Sequence, residues 1–122
     1  MIIDLILSSQ HQNVILEKVF NFSLELIPFT EDLRRAGKYE MSVQLFKSGT
    51  SIGANVFEAQ NAESKMDFIH KLKIAAKESE ETKYWLGLCR SLESYPDPKK
   101  ELLTELIEIQ KILAKIISSS RR

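Results

Sequence analysis

The chain has little of what breaks or staples a fold. Its 122 residues include one cysteine, three prolines and four glycines. A lone Cys89 excludes an intrachain disulfide and fits a reducing, cytoplasmic setting. No Asn-Gly or Asp-Gly pair marks a β-hairpin. Net charge is also missing, because 17 basic and 17 acidic residues cancel. Bulk electrostatics therefore give no reason to expect nucleic acid or membrane, and either role needs a local patch. No run of about 18 apolar residues occurs, so a transmembrane helix is not expected. The apolar start "MIIDLILSSQHQ" is interrupted by Asp4 and lacks a basic leader. Residues 1–12 read as an N-terminal extension, a docked or frayed arm, with an uncleaved membrane-binding segment as the alternative.

What is present is helical period. Hydrophobic residues make up 43% of the chain, enough for the core of one domain. Ile15, Val19, Phe22, Leu26, Phe29 and Leu33 recur at alternating steps of four and three, predicting a helix over 13–35. Pro28 should kink it near Leu24, and Gly37 suits its C-terminal cap. A second helix is expected over 39–59. A third is expected over 65–92, with Ser64 as N-cap and Asp67 three residues on. "SYPDPKKE" ends it. Asp97 and Pro98 read as the cap and first residue of a fourth helix over 98–117. Leu102, Leu106, Ile109, Leu113 and Ile116 form the inward seam of that helix. Four helices with short connections predict an all-α, up-down-up-down antiparallel four-helix bundle over 13–118, with a polar tail at 119–122.

The stretch "KSGTSIGANVFEA" is the least ordinary. Its lysine precedes its glycines, the reverse of a phosphate loop. Met41, Leu45, Ser48, Ile52, Asn55 and Ala59 continue an inward seam through it. Val43, Phe46, Thr50, Gly53 and Phe57 mark a second set about 200° around the helix. A helix apolar on two faces calls for a second covering surface. Val43, Phe46, Gly49, Gly53 and Phe57 are accordingly the expected oligomer interface, another copy being the simplest partner. Leu16, Phe20, Leu24 and Ile27 of the first helix, and Leu103, Ile107 and Ile117 of the fourth, are further surplus apolar positions. Gly49 and Gly53 mark either close helix approach or a locally loose helix. Asn55, with Ser48, Ser51 and Glu58, is expected to form a buried polar network fixing helix register; a ligand role is the alternative.

At these residues the sequence resembles the bacterial four-helix-bundle family that includes proteins encoded within 23S rRNA intervening sequences. The carriers are "QLFKSGTSIGANVFEA" (44–59), "SKMDFIHKLKIAAKESEETKYWLGL" (64–88) and "NVILEK" (13–18). Lys47, Gly49 and Val56 depart from the family's arginine, alanine and isoleucine. The resemblance implies a ring-forming bundle, typically a homopentamer, with no catalysis. Similar proteins include a retroelement accessory factor that binds RNA and a reverse transcriptase. The resemblance thus implies RNA or a reverse-transcriptase-like protein as partners.

Phosphate binding requires cations. Arg34, Arg35 and Lys38 form one candidate cluster and Lys71, Lys73 and Lys77 another. Glu78, Glu80 and Glu81 follow at once, so a solvated, salt-bridged face is the competing reading. Enzyme chemistry finds no constellation. His11 and His70 have no ligand spacing, and no Glu-x-x-His motif suggests a di-iron centre. Cys89 reads as a small core residue. Trp85 and Tyr84 read as core or interface. No catalytic residue, metal site or cofactor is expected. The function expected is a non-catalytic homo-oligomeric scaffold associating with RNA or a nucleic-acid-processing partner. The alternative is a protein-interaction module without nucleic acid.

Overall fold

The computed structural model describes Ile6 and residues 14–121. Four helices follow one another: α1 (Val14–Arg35), α2 (Tyr39–Ala59), α3 (Lys65–Ser91) and α4 (Lys100–Ser120). Each packs on its sequence neighbours, and α1 also packs on α4, which closes the antiparallel four-helix ring. All six residues of the α1 seam are buried, as are Leu102, Leu106, Ile109 and Leu113 of α4. Complete burial of such a side chain contributes about 1.5–3 kcal/mol, so these two stripes dominate the core.

Local signals fix the turns. Gly37 has φ +79°, the left-handed region that glycine enters without a Cβ penalty. Its N–H donates to the Arg34 carbonyl and that of Lys38 to Leu33, closing a Schellman turn between α1 and α2. The Lys38 ammonium then lies 4.7 Å from the centre of the Tyr95 ring, joining this turn to the α3–α4 connection. At the other end of the bundle the Asp67 N–H donates to Ser64 Oγ, as the sequence predicts for the α3 cap.

Several expectations need correction. Asp97 does not cap α4, which starts at Lys100 after Lys99 with no side-chain cap. Asp97 turns instead to Arg90, 3.5 Å from its Nε, and Pro98 is buried ahead of the helix rather than in it. The tail expected at 119–122 does not start where α4 stops. The helix runs through Ser120, because Ile116 and Ile117 pack partly on the core and hold its last turns. Pro28, by contrast, lies within α1 as expected, and the helix runs on to Arg35. Leu16 is fully buried and so is not a surplus surface residue. The arm expected over 1–12, with His11, lies outside the described residues apart from Ile6.

Candidate functional site

The small residues of α2 sit where α1 comes closest. A Cβ on Gly49 would fall on the side chain of Leu26, and one on Gly53 would lie 3.6 Å from Val19. Both glycines are buried within the chain's own α1–α2 seam. They do not face a neighbouring molecule, which corrects their place in the expected interface. Spacing alone could not reveal this, since a glycine has no side chain to show which surface covers it.

The remaining interface residues do face outward. Val43 is 46% and Phe46 45% exposed, while Phe57 is half-buried against the core. The face continues through Tyr84 and Trp85, expected as core or interface, and through Tyr39 and Tyr95, which the sequence does not single out. Tyr39 and Tyr84 are 62% and 61% exposed. A groove of about 600 Å³ runs between α2 and the end of α3, lined by Tyr39, Val43, Trp85 and Tyr95 among others. The ring centres of Tyr84 and Trp85 are 5.2 Å apart, tilted at 60°. The Trp85 indole Nε1 is buried without a hydrogen-bond partner among the described residues.

The expected polar network breaks into separate pieces. Only Ser48 of its four members is buried, and its hydroxyl lies 2.9 Å from that of Thr82 across the α2–α3 seam. Ser51 donates to the Lys47 carbonyl and Asn55 to the Ser51 carbonyl, each one turn back along the same helix. Such local bonds satisfy these side chains without a ligand. Glu58 is exposed and pairs with Lys71 at 3.4 Å. The polar residues that do join helices are not apparent from the sequence as a group. Ser42 of α2 donates to the Thr30 carbonyl of α1 at 2.7 Å. Gln110 of α4 donates to Ser79 Oγ at 3.1 Å and to Glu80 Oε1 at 2.9 Å.

The two basic clusters lie apart. Arg34, Arg35 and Lys38 sit at the end of the bundle where α1 gives way to α2. Arg35 pairs with Asp32, and Lys38 covers Tyr95. Lys71, Lys73 and Lys77 start six residues into α3, towards the opposite end. A step of two residues turns a helix about 200°, so Lys71 lies on the side towards Glu58, away from Lys73. Lys73 and Lys77 are exposed. Glu78 is partly buried, and desolvation, then the neighbouring charge of Glu81, raises its pKa against the pull of Lys77 and Lys47. This region is a mixed-charge face with two outward lysines.

Cys89 is buried, and desolvation with the Asp97 charge pushes its pKa up to about 11. The thiol is therefore protonated and shielded at neutral pH. Among the described residues no three His, Cys, Asp or Glu side chains are placed to hold a metal ion. No described helix is long and apolar enough to cross a membrane.

The fold and this arrangement of faces meet a specific match. The profile of the 23S rRNA-intervening sequence protein family covers residues 11–115. The chain belongs to that family. A crystal structure of a protein of unknown function from the S23 ribosomal protein family of Bacteroides thetaiotaomicron is similar over most of the chain. Identity is 39% and the TM-score is 0.79, over 84% of this chain and 97% of that one. Among curated proteins none matches the chain at a significant level. The 23S rRNA-intervening sequence family thus accounts for the whole bundle, from the first turns of α1 to near the end of α4.

Proposed function

We propose that this chain is a non-catalytic, homo-oligomeric scaffold that assembles through its α2–α3 face and associates with RNA or with a protein that processes nucleic acid. The observation that carries the reading is the apolar and aromatic surface of Tyr39, Val43, Phe46 and Tyr84 beside the Trp85 groove. Exposed patches of this kind mark association surfaces. A neighbouring copy would cover the exposed aromatic rings of Tyr39 and Tyr84. Five copies in a ring is the state the family resemblance implies. A ring is heterologous, so each copy would use two different faces.

RNA association draws on the outward Lys73 and Lys77 and on Arg34, multiplied around a ring. The second reading is a protein-interaction module without nucleic acid. It is favoured by the engagement of Lys71 with Glu58, Arg35 with Asp32 and Lys38 with Tyr95. Light scattering tests assembly: Val43→Asp with Phe46→Asp should yield a smaller species than the wild type. A wild type already monomeric at micromolar concentration refutes assembly through this face. Salt-dependent gel shifts test the RNA arm. Lys73→Glu with Lys77→Glu should abolish an RNA shift while the oligomer persists. No RNA shift by the wild type leaves the interaction module.

A further inference from the structure

On the opposite side of the bundle, α1 and α4 flank a second groove of about 820 Å³. Leu24, Pro28, Phe29 and Leu102 supply its apolar lining, and Leu24 is 53% exposed. Its edges are carboxylates: Glu25 and Asp32 from α1, Asp97 before α4 and Glu101 in its first turn. Arg35 holds Asp32 and Arg90 holds Asp97. Glu101 is left without an ion pair among the described residues, Glu25 bonds to Glu105 across the seam, and Lys99 is the one cation of the lining.

The excess of negative charge continues along the seam. Glu105 lies one turn beyond Glu101 and meets Glu25 across the helices. Glu108 follows and is 3.6 Å from Lys18 of α1. Burial raises the Glu105 pKa to about 7, helped by the hydrogen bond and charge of Glu25 and by Glu108, with Lys18 opposing. Near neutral pH the seam therefore holds a proton where a cation would serve equally well. The acids are strung along the groove rather than gathered about a point. Among the described residues no three side chains converge as a metal site requires.

The geometry points to a docking groove for a basic amphipathic protein segment, apolar side chains seated between Leu24 and Leu102 and lysines or arginines on Glu25 and Glu101. An extended row of carboxylates beside an apolar floor matches a helix of alternating character. Phosphates of RNA or of an anionic lipid surface would meet like charge here. The α2–α3 face of a second copy carries exposed Glu40, Glu80 and Glu81 among its lysines and offers no unbroken row of cations. The groove lies on the other side of the bundle from the α2–α3 face, and the groove variants read peptide binding and assembly separately.

A fluorescent peptide of about 14 residues, with leucine and lysine at helical spacing, is the probe. Anisotropy should show salt-sensitive binding to the intact protein. The same peptide with glutamate for lysine should not bind. Glu25→Gln with Glu101→Gln should weaken binding about tenfold, the loss of charge-assisted contacts. Lys73→Ala with Lys77→Ala should leave it unchanged. Leu24→Ser, at an exposed position, gives a second variant that should also weaken binding if the double variant does not fold. Calorimetry just below neutral pH adds a separate readout. Binding should release a proton, so its heat should vary with buffer ionisation in the wild type but not in Glu105→Gln. Equal binding of the glutamate peptide, or unchanged affinity in the folded groove variants, overturns the proposal. Loss of the wild-type oligomer in Glu25→Gln with Glu101→Gln would identify a second copy as the occupant and overturn it too.

Discussion

Leu26 fills the space that a side chain on Gly49 would need. The isobutyl group of α1 lies against the α2 backbone, and both residues are fully covered. Gly53, one turn on, meets Val19 at an ordinary van der Waals distance of 3.6 Å. The two glycines should therefore respond oppositely to alanine. Each gains about 1 kcal/mol of helix propensity. At Gly53 nothing opposes that gain, so Gly53→Ala should stabilise the protein by about 0.5–1 kcal/mol. At Gly49 the new methyl must displace a buried leucine, and overpacking costs about 1–3 kcal/mol. Gly49→Ala should be net destabilising in urea denaturation. Equal shifts of the two midpoints in the same direction would refute this reading of the seam.

Gly49 also shows where sequence reading stops. The class of fold was legible because α1 and α4 carry bulky apolar residues in unbroken steps of three and four. Those steps state directly which side chains are buried. In α2 the same steps run through glycine and serine, so they fix a direction around the helix without fixing what covers it. Val43 and Phe46 were placed outward correctly because they have side chains to expose. The polar partners were less legible. Ser48 meets Thr82 from 34 residues away, and Lys71 meets Glu58 from 13. Those pairings depend on how α2 and α3 align axially. Asn55, expected in a network with Ser48, Ser51 and Glu58, instead donates to the Ser51 carbonyl on its own preceding turn.

The Ser48–Thr82 contact should couple α2 to α3. Thr82 Oγ1 also lies 2.8 Å from the Glu78 carbonyl. The Thr82 hydroxyl can donate there while accepting from Ser48, so both hydroxyls are used. Ser48→Ala should cost about 1 kcal/mol. Thr82→Val, which strands the buried Ser48 hydroxyl, should cost about 1–3 kcal/mol. The double substitution should cost less than the sum, with a coupling of about 1 kcal/mol in a double-mutant cycle. Additive losses would mean that the two hydroxyls are satisfied independently.

Cys89 should behave as a core residue under chemical challenge. Its thiol is 1% exposed, and its pKa of about 11 leaves little thiolate at neutral pH. Iodoacetamide should modify the native protein only at the rate at which it opens. The unfolded chain in urea should react at the rate of an ordinary free thiol. Cys89→Ala should cost about 1 kcal/mol of stability through the small cavity it leaves. Rapid native-state labelling would contradict this burial.

The Glu25–Glu105 contact makes the α1–α4 seam sensitive to pH. The Glu105 pKa rises from 4.5 to about 7 on folding, mainly through desolvation and then through Glu25. Between those values the folded chain holds a proton that the unfolded chain has released. Stability therefore falls as pH rises across this window. The favourable contribution is complete below the unfolded value and is lost as pH passes through about 7. Glu105→Gln keeps the neutral, hydrogen-bonding form at every pH. It should match the wild type at about pH 5 and melt at a higher temperature at about pH 8. Glu25→Gln should remove part of the same slope by relieving the paired charge, leaving the part due to burial, whereas Glu108→Gln should sacrifice the Lys18 contact and flatten it less. Thermal melts of the three variants across this range separate the contributions. Parallel pH profiles for wild type and Glu105→Gln would show that the two carboxyl groups do not share a proton.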